Sequence, residues 1–125
     1  MEELSKLEAD LAAMRKEEAE LEKESETRRK ELRALERKVD TERFRLCALE
    51  NLMKTSEDPF GEEFEDIRVK WQRLHEEITG PDGLLFSRLE ARHACYDCEY
   101  RLTQLSDRIQ NMKSRIAAIK GSGRS

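Results

Sequence analysis

The chain has 125 residues, of which 42% are charged and only 6% aromatic, with five Gly and two Pro. That profile belongs to coiled coils and long helices rather than to a globule with a thick core, and it predicts burial by helix–helix association. Its net charge of −4 argues against a polyanion-binding domain as a whole.

The first element is the most informative. From Leu4, steps of three and four residues pass through Leu4, Leu7, Leu11, Met14, Glu18, Leu21, Ser25, Arg28, Leu32, Leu35, Val39, Glu42, Leu46, Leu49 and Met53. Eleven of these fifteen seam positions are apolar, and neither Gly nor Pro interrupts them. This is the pattern of a long coiled-coil helix, expected over residues 1–56, whose apolar residues form an oligomerisation seam. Disorder is the rival reading of so charged a segment, and the sustained register opposes it.

A break follows at Ser56-Glu57-Asp58-Pro59-Phe60-Gly61. Asp58 suits a helix N-cap and Pro59 the first helical position, with Glu62, Glu63 and Glu65 favourable at a helix N-terminus. A second helix is expected over 60–78, with Phe60, Phe64, Ile67, Trp71, Leu74 and Ile78 at seam spacing. Trp71 reads as an anchor of a local core, with an exposed partner hot spot as its functional alternative. Asp58-Pro59-Phe60 resembles the short motif that endocytic cargo adaptors present to clathrin-adaptor appendage domains. Cap, first-turn proline and core anchor account for the same three residues.

Thr79-Gly80-Pro81-Asp82-Gly83 is a strong turn signal. A third helix is expected over 84–120, with Leu102, Leu105, Ile109, Met112, Ile116 and Ile119 on one seam that extends back to Cys98, Cys95 and Ala91. A second apolar line, Phe86, Leu89, His93, Tyr96 and Tyr100, widens the stripe near its start and points to multi-helix packing. The fold expected is therefore all-α and oligomeric: a long coiled-coil helix, then a helix-turn-helix hairpin over 57–120 forming a local bundle with the end of helix one. The bundle core is expected at Phe60, Phe64, Ile67, Trp71, Leu74, Ile78, Leu102, Leu105, Ile109, Met112 and Ile116. Residues 121–125, Gly-Ser-Gly-Arg-Ser, read as a flexible tail or cloning scar, and the chain as a segment of a longer protein.

Charge falls in blocks: −6 over residues 1–27, +4 over 28–54, −6 over 55–83 and +4 over 84–125. At the flanks of the first seam, Glu8, Arg15, Glu22, Arg29, Glu36, Arg43 and Glu50 alternate in sign. That alternation favours an antiparallel homodimer over a parallel one, in which four of seven facing pairs would be like-charged. The other use of the blocks is to fold the acidic middle helix back onto residues 28–54 of its own chain.

Cys95 and Cys98, with His93 beside them, raise a metal site. A structural zinc needs four converging ligands, whereas cysteines three apart on a helix simply share a face, so no metal is expected. Three cysteines without a secretion signal suggest free thiols in cytosol or nucleus. Arg29, Lys30, Arg33 and Arg37 form a candidate face for an acidic partner such as a microtubule, with a solvated helix face as the bland reading. Nucleic acid is not expected, for no aromatics intersperse with these basic residues. Nothing resembles a phosphate loop or a nucleophile–base constellation, so neither catalytic residues nor cofactors are expected. The function expected is structural: oligomerisation and spacing within a eukaryotic cytoskeletal, centrosomal or kinetochore-type assembly, the chain pairing with itself and with other proteins there.

Overall fold

The computed structural model describes residues 2–122. Three α-helices make up the fold, α1 (Glu2–Lys54), α2 (Glu62–Thr79) and α3 (Leu84–Ser122), and there is no strand among the described residues. At 1.5 Å per residue, the 53 residues of α1 extend about 80 Å. Residues 121 and 122, expected in a tail, continue α3; residues 123–125 lie outside the described residues.

The chain divides into two compact units. The first comprises Met1–Arg29 and Ala94–Ser125, so that the first half of α1 packs on the C-terminal part of α3. Two ion pairs fix the direction: Glu8 to Lys120 at 3.3 Å and Arg29 to Glu99 at 3.0 Å. Moving 21 residues forward along α1 (8 to 29) corresponds to 21 residues backward along α3 (120 to 99), three heptads of antiparallel register. Leu7 on α1 and Cys95, Cys98, Leu105, Ile109 and Ile116 on α3 are buried between the two helices. Bulk charge agrees with the pairing. Residues 2–29 carry six basic and ten acidic side chains, net −4, and residues 94–122 five and three, net +2.

The second unit, Lys30–His93, contains the rest of α1, all of α2 and the start of α3. Trp71 donates its indole N–H to Glu50 at 3.1 Å, and Arg92 lies 3.8 Å from Glu36. Between these pairs, Lys38, Glu42 and Arg45 face Arg73, Glu76, Glu77 and the 80–84 segment across an open groove. Falling numbers on α1 thus meet rising numbers on α2 and then α3. Both α2 and the first turns of α3 run antiparallel to α1, which corrects the expected hairpin between helices two and three. The chain reverses at residues 55–61 instead.

The turn at Gly80 explains why direction survives there. Gly80 N–H still reaches Glu76 O at 2.8 Å, Gly83 N–H reaches Gly80 O at 2.9 Å, and Ser87 N–H reaches Gly83 O at 3.1 Å. No described residue has positive φ, which leaves the Gly80–Gly83 turn as type I, whose central residues have helix-like dihedrals. Gly80 itself is extended, with ψ 170°, and is the one step out of helical geometry that these values show.

The reversal is built differently from expectation. Asp58 is not a helix N-cap: its carboxylate accepts the Phe60 N–H at 3.1 Å and its carbonyl accepts the Gly61 N–H at 3.2 Å. These bonds close a turn before the helix begins, as Asx side chains do. Gly61 occupies the N-cap position and α2 starts at Glu62, leaving Phe60 outside the helix and 97% exposed. Phe60 is therefore not part of the core.

Candidate interaction surface

Helical periodicity determines which side chains this molecule can offer. In α1 all fifteen seam positions from Leu4 to Met53 are buried or half-buried, Leu7, Ser25 and Val39 being the most enclosed. The stripe is covered by α3 in the first unit and by α2 and the start of α3 in the second. Three of the alternating flank residues, Glu8, Arg29 and Glu36, have their ion-pair partners on α3 of the same chain.

Of the expected core on α2, Ile78 is 1% exposed and Phe64, Ile67, Trp71 and Leu74 are half-buried. Trp71 stacks on His75 with ring centroids 4.8 Å apart. On α3, Leu105, Ile109 and Ile116 are buried, with Leu102 and Met112 half-buried. These belong to the first unit with the first half of α1, so the single bundle core expected at the end of helix one is divided between the two units.

The second apolar line of α3 is not covered. In the second unit Phe86 and Leu89 are exposed, and so is His93; in the first, Tyr96 and Tyr100 are exposed. These residues sit on the helix face turned from the neighbouring helix, so the expected wide core does not form there. Phe44 and Leu52 of α1, which lie outside the seam, are also exposed at 77% and 53%. Their signal was in the sequence: both fall off the a and d positions while being large and apolar.

Cys95 and Cys98 lie in the seam with their thiols free and buried, whereas Cys47 is exposed. Burial pushes the Cys98 thiol above its ordinary range, with the nearby Glu24 carboxylate adding to the effect. His93 is exposed on another face, and no group of three or more potential ligands converges among the described residues. Of the candidate basic face, Arg29 is engaged by Glu99 in the first unit; Lys30, Arg33 and Arg37 are exposed in the second. No helix among the described residues is long and apolar enough to cross a membrane. No protein-family model, curated protein or solved structure matches this chain.

Proposed function

We propose that the chain is a structural segment, spacing and joining components of a larger eukaryotic assembly of the cytoskeletal, centrosomal or kinetochore kind by helix–helix association. The observation that carries this reading is the distribution of apolar side chains. One continuous seam holds α1 against the helices that follow it, while Phe44, Leu52, Phe86 and Leu89 in one unit and Tyr96 and Tyr100 in the other remain outside. Apolar side chains left exposed on helix surfaces suit further helices as partners. Catalysis is no part of the proposal.

Self-association as an antiparallel homodimer belongs to the same reading, and falls to these outer faces because α2 and α3 occupy the α1 seam. Light-scattering mass after size exclusion tests it on the wild type and on Phe86→Glu/Leu89→Glu. A dimer that becomes monomer in the variant supports the reading. A monomeric wild type removes self-association and directs the proposal to heteromeric partners.

The rival reading is a docking module for a microtubule or another acidic partner. Its support is that Arg33 and Arg37 stand one turn apart, exposed, on the outer side of α1. Co-pelleting with microtubules at low salt, lost when Arg33 and Arg37 are reversed to Glu, would favour it. Absence of co-pelleting at low salt would exclude it.

A further inference from the structure

The turn joining α1 to α2 carries a phenyl ring that contributes nothing to the fold. We propose that Asp58-Pro59-Phe60 is a docking motif whose occupant is a folded protein domain with an apolar pocket for one phenyl ring, rimmed by lysine and arginine.

Three observations support the assignment. Phe60 is 97% exposed, the highest value among the exposed large hydrophobic residues, and so has no packing role. Its backbone is nevertheless held. Phe60 N–H donates to Asp58 Oδ1, Gly61 N–H donates to the Asp58 carbonyl, and the Ser56 hydroxyl donates to that carbonyl at 3.3 Å. Pro59 fixes one dihedral of the same turn, and a Cβ at Gly61 would come within 2.7 Å of Asp58 Oδ2. A ring displayed on an ordered turn loses little freedom on capture, which favours binding.

Charge selects the partner. Residues 57–66 contain Glu57, Asp58, Glu62, Glu63, Glu65 and Asp66 and no basic side chain. Arg68, the next basic residue, is committed to Glu65 through two hydrogen bonds, at 2.6 and 2.9 Å. An aromatic ring within an acidic surround complements an apolar pocket with a cationic rim, and repels nucleic acid or an anionic membrane. The turn lies apart from the helix seams, so this site does not depend on the function proposed above.

The test uses the full chain and a purified clathrin-adaptor appendage domain, the class of domain whose ligand motif the tripeptide resembles. Isotope-labelled chain is titrated with the domain, and amide shifts are followed. The expected result is saturable binding with shifts centred on residues 56–63. Phe60→Ala should weaken it at least about tenfold while leaving helicity and melting temperature unchanged. Asp58→Asn keeps the oxygen that accepts the Phe60 N–H but removes the charge; it should weaken binding several-fold and reduce its salt dependence. No binding to the wild type, or equal binding to Phe60→Ala, would overturn the proposal. So would a light-scattering mass showing a wild-type dimer that Phe60→Ala dissolves, since the ring's occupant would then be a second copy.

Discussion

The guanidinium of Arg29 donates to the carboxylate of Glu99 at 3.0 Å, joining two residues 70 positions apart in the chain. Arg29 belongs to the flank of the α1 seam, where alternating charge invites an antiparallel helix, and the invitation is met by α3. Both side chains remain about half exposed, so the pair specifies register more than it stabilises. Reversal of either charge, Arg29→Glu or Glu99→Arg, should cost a few tenths of a kcal/mol, and the double reversal should recover most of it. A coupling of about 0.2–1 kcal/mol is expected from a double-mutant cycle in urea at low salt. Zero coupling would mean that the contact contributes nothing to the choice of register.

Energy resides instead in the seam. Ile78 is 1% exposed and Val39 fully buried, both in the unit formed by residues 30–93. Ile78→Ala should therefore destabilise the chain by about 2–4 kcal/mol through lost transfer energy and the cavity left behind. Phe44→Ala, which removes a larger side chain that is 77% exposed, should change stability by less than about 0.5 kcal/mol. Denaturation midpoints of the two variants read the contrast directly, and similar losses would contradict this packing.

Much of this was legible in the sequence because the helix period decides it. The seam from Leu4 to Met53 and the three helices follow from spacing and turn residues alone, with bounds shifted by a few residues. The identity of the covering helix was harder. A seam says that a partner is needed, and it does not say whether the partner lies in the same chain. The charge blocks held that information: acidic 1–27 complements basic 84–125, and basic 28–54 complements acidic 55–83, which is the order an antiparallel fold-back requires. Flank alternation fits a second α1 equally well, so it could not discriminate. Phe60 departs from its expected place because its spacing matches the α2 stripe, whereas the Asp58 side chain closes the preceding turn and delays the helix to Glu62. The directions of α2 and α3 were hidden because Gly-Pro reads as a reversal, yet a type I turn keeps helix-like dihedrals.

The cysteines give a pH-dependent prediction. Cys98 is buried among Glu24, Arg28, Asp97 and Arg101, and its thiol is raised above the usual range, chiefly by burial. Above the unfolded-state pKa of about 8.5 the unfolded chain releases the proton while the folded chain retains it. Stability should be unaffected by this group below that pH, and should fall as pH rises from there towards the folded-state value. Cys98→Ala should lose stability overall through its cavity but show a shallower decline at alkaline pH. Thiol labelling supplies the companion measurement: exposed Cys47 should react at once, and Cys95 and Cys98 only on opening of the helix pair.

Gly83 tests the inline turn. It is buried, and a Cβ there would stand 2.7 Å from the Ile78 carbonyl oxygen and 2.9 Å from those of Glu77 and Gly80. All three are backbone atoms, so relief requires the turn itself to move. Gly83→Ala should cost about 1–3 kcal/mol, even though no positive φ demands glycine here. Gly121, near the end of α3, would have nothing within 4 Å of an added methyl group, and Gly121→Ala should leave stability unchanged or raise it by a few tenths of a kcal/mol through helix propensity. If both variants unfold at the wild-type urea midpoint, the close approach of the α2 carbonyls to Gly83 is absent in solution. A loss confined to Gly83→Ala would establish that α2 passes into α3 through a tight turn that only glycine fits.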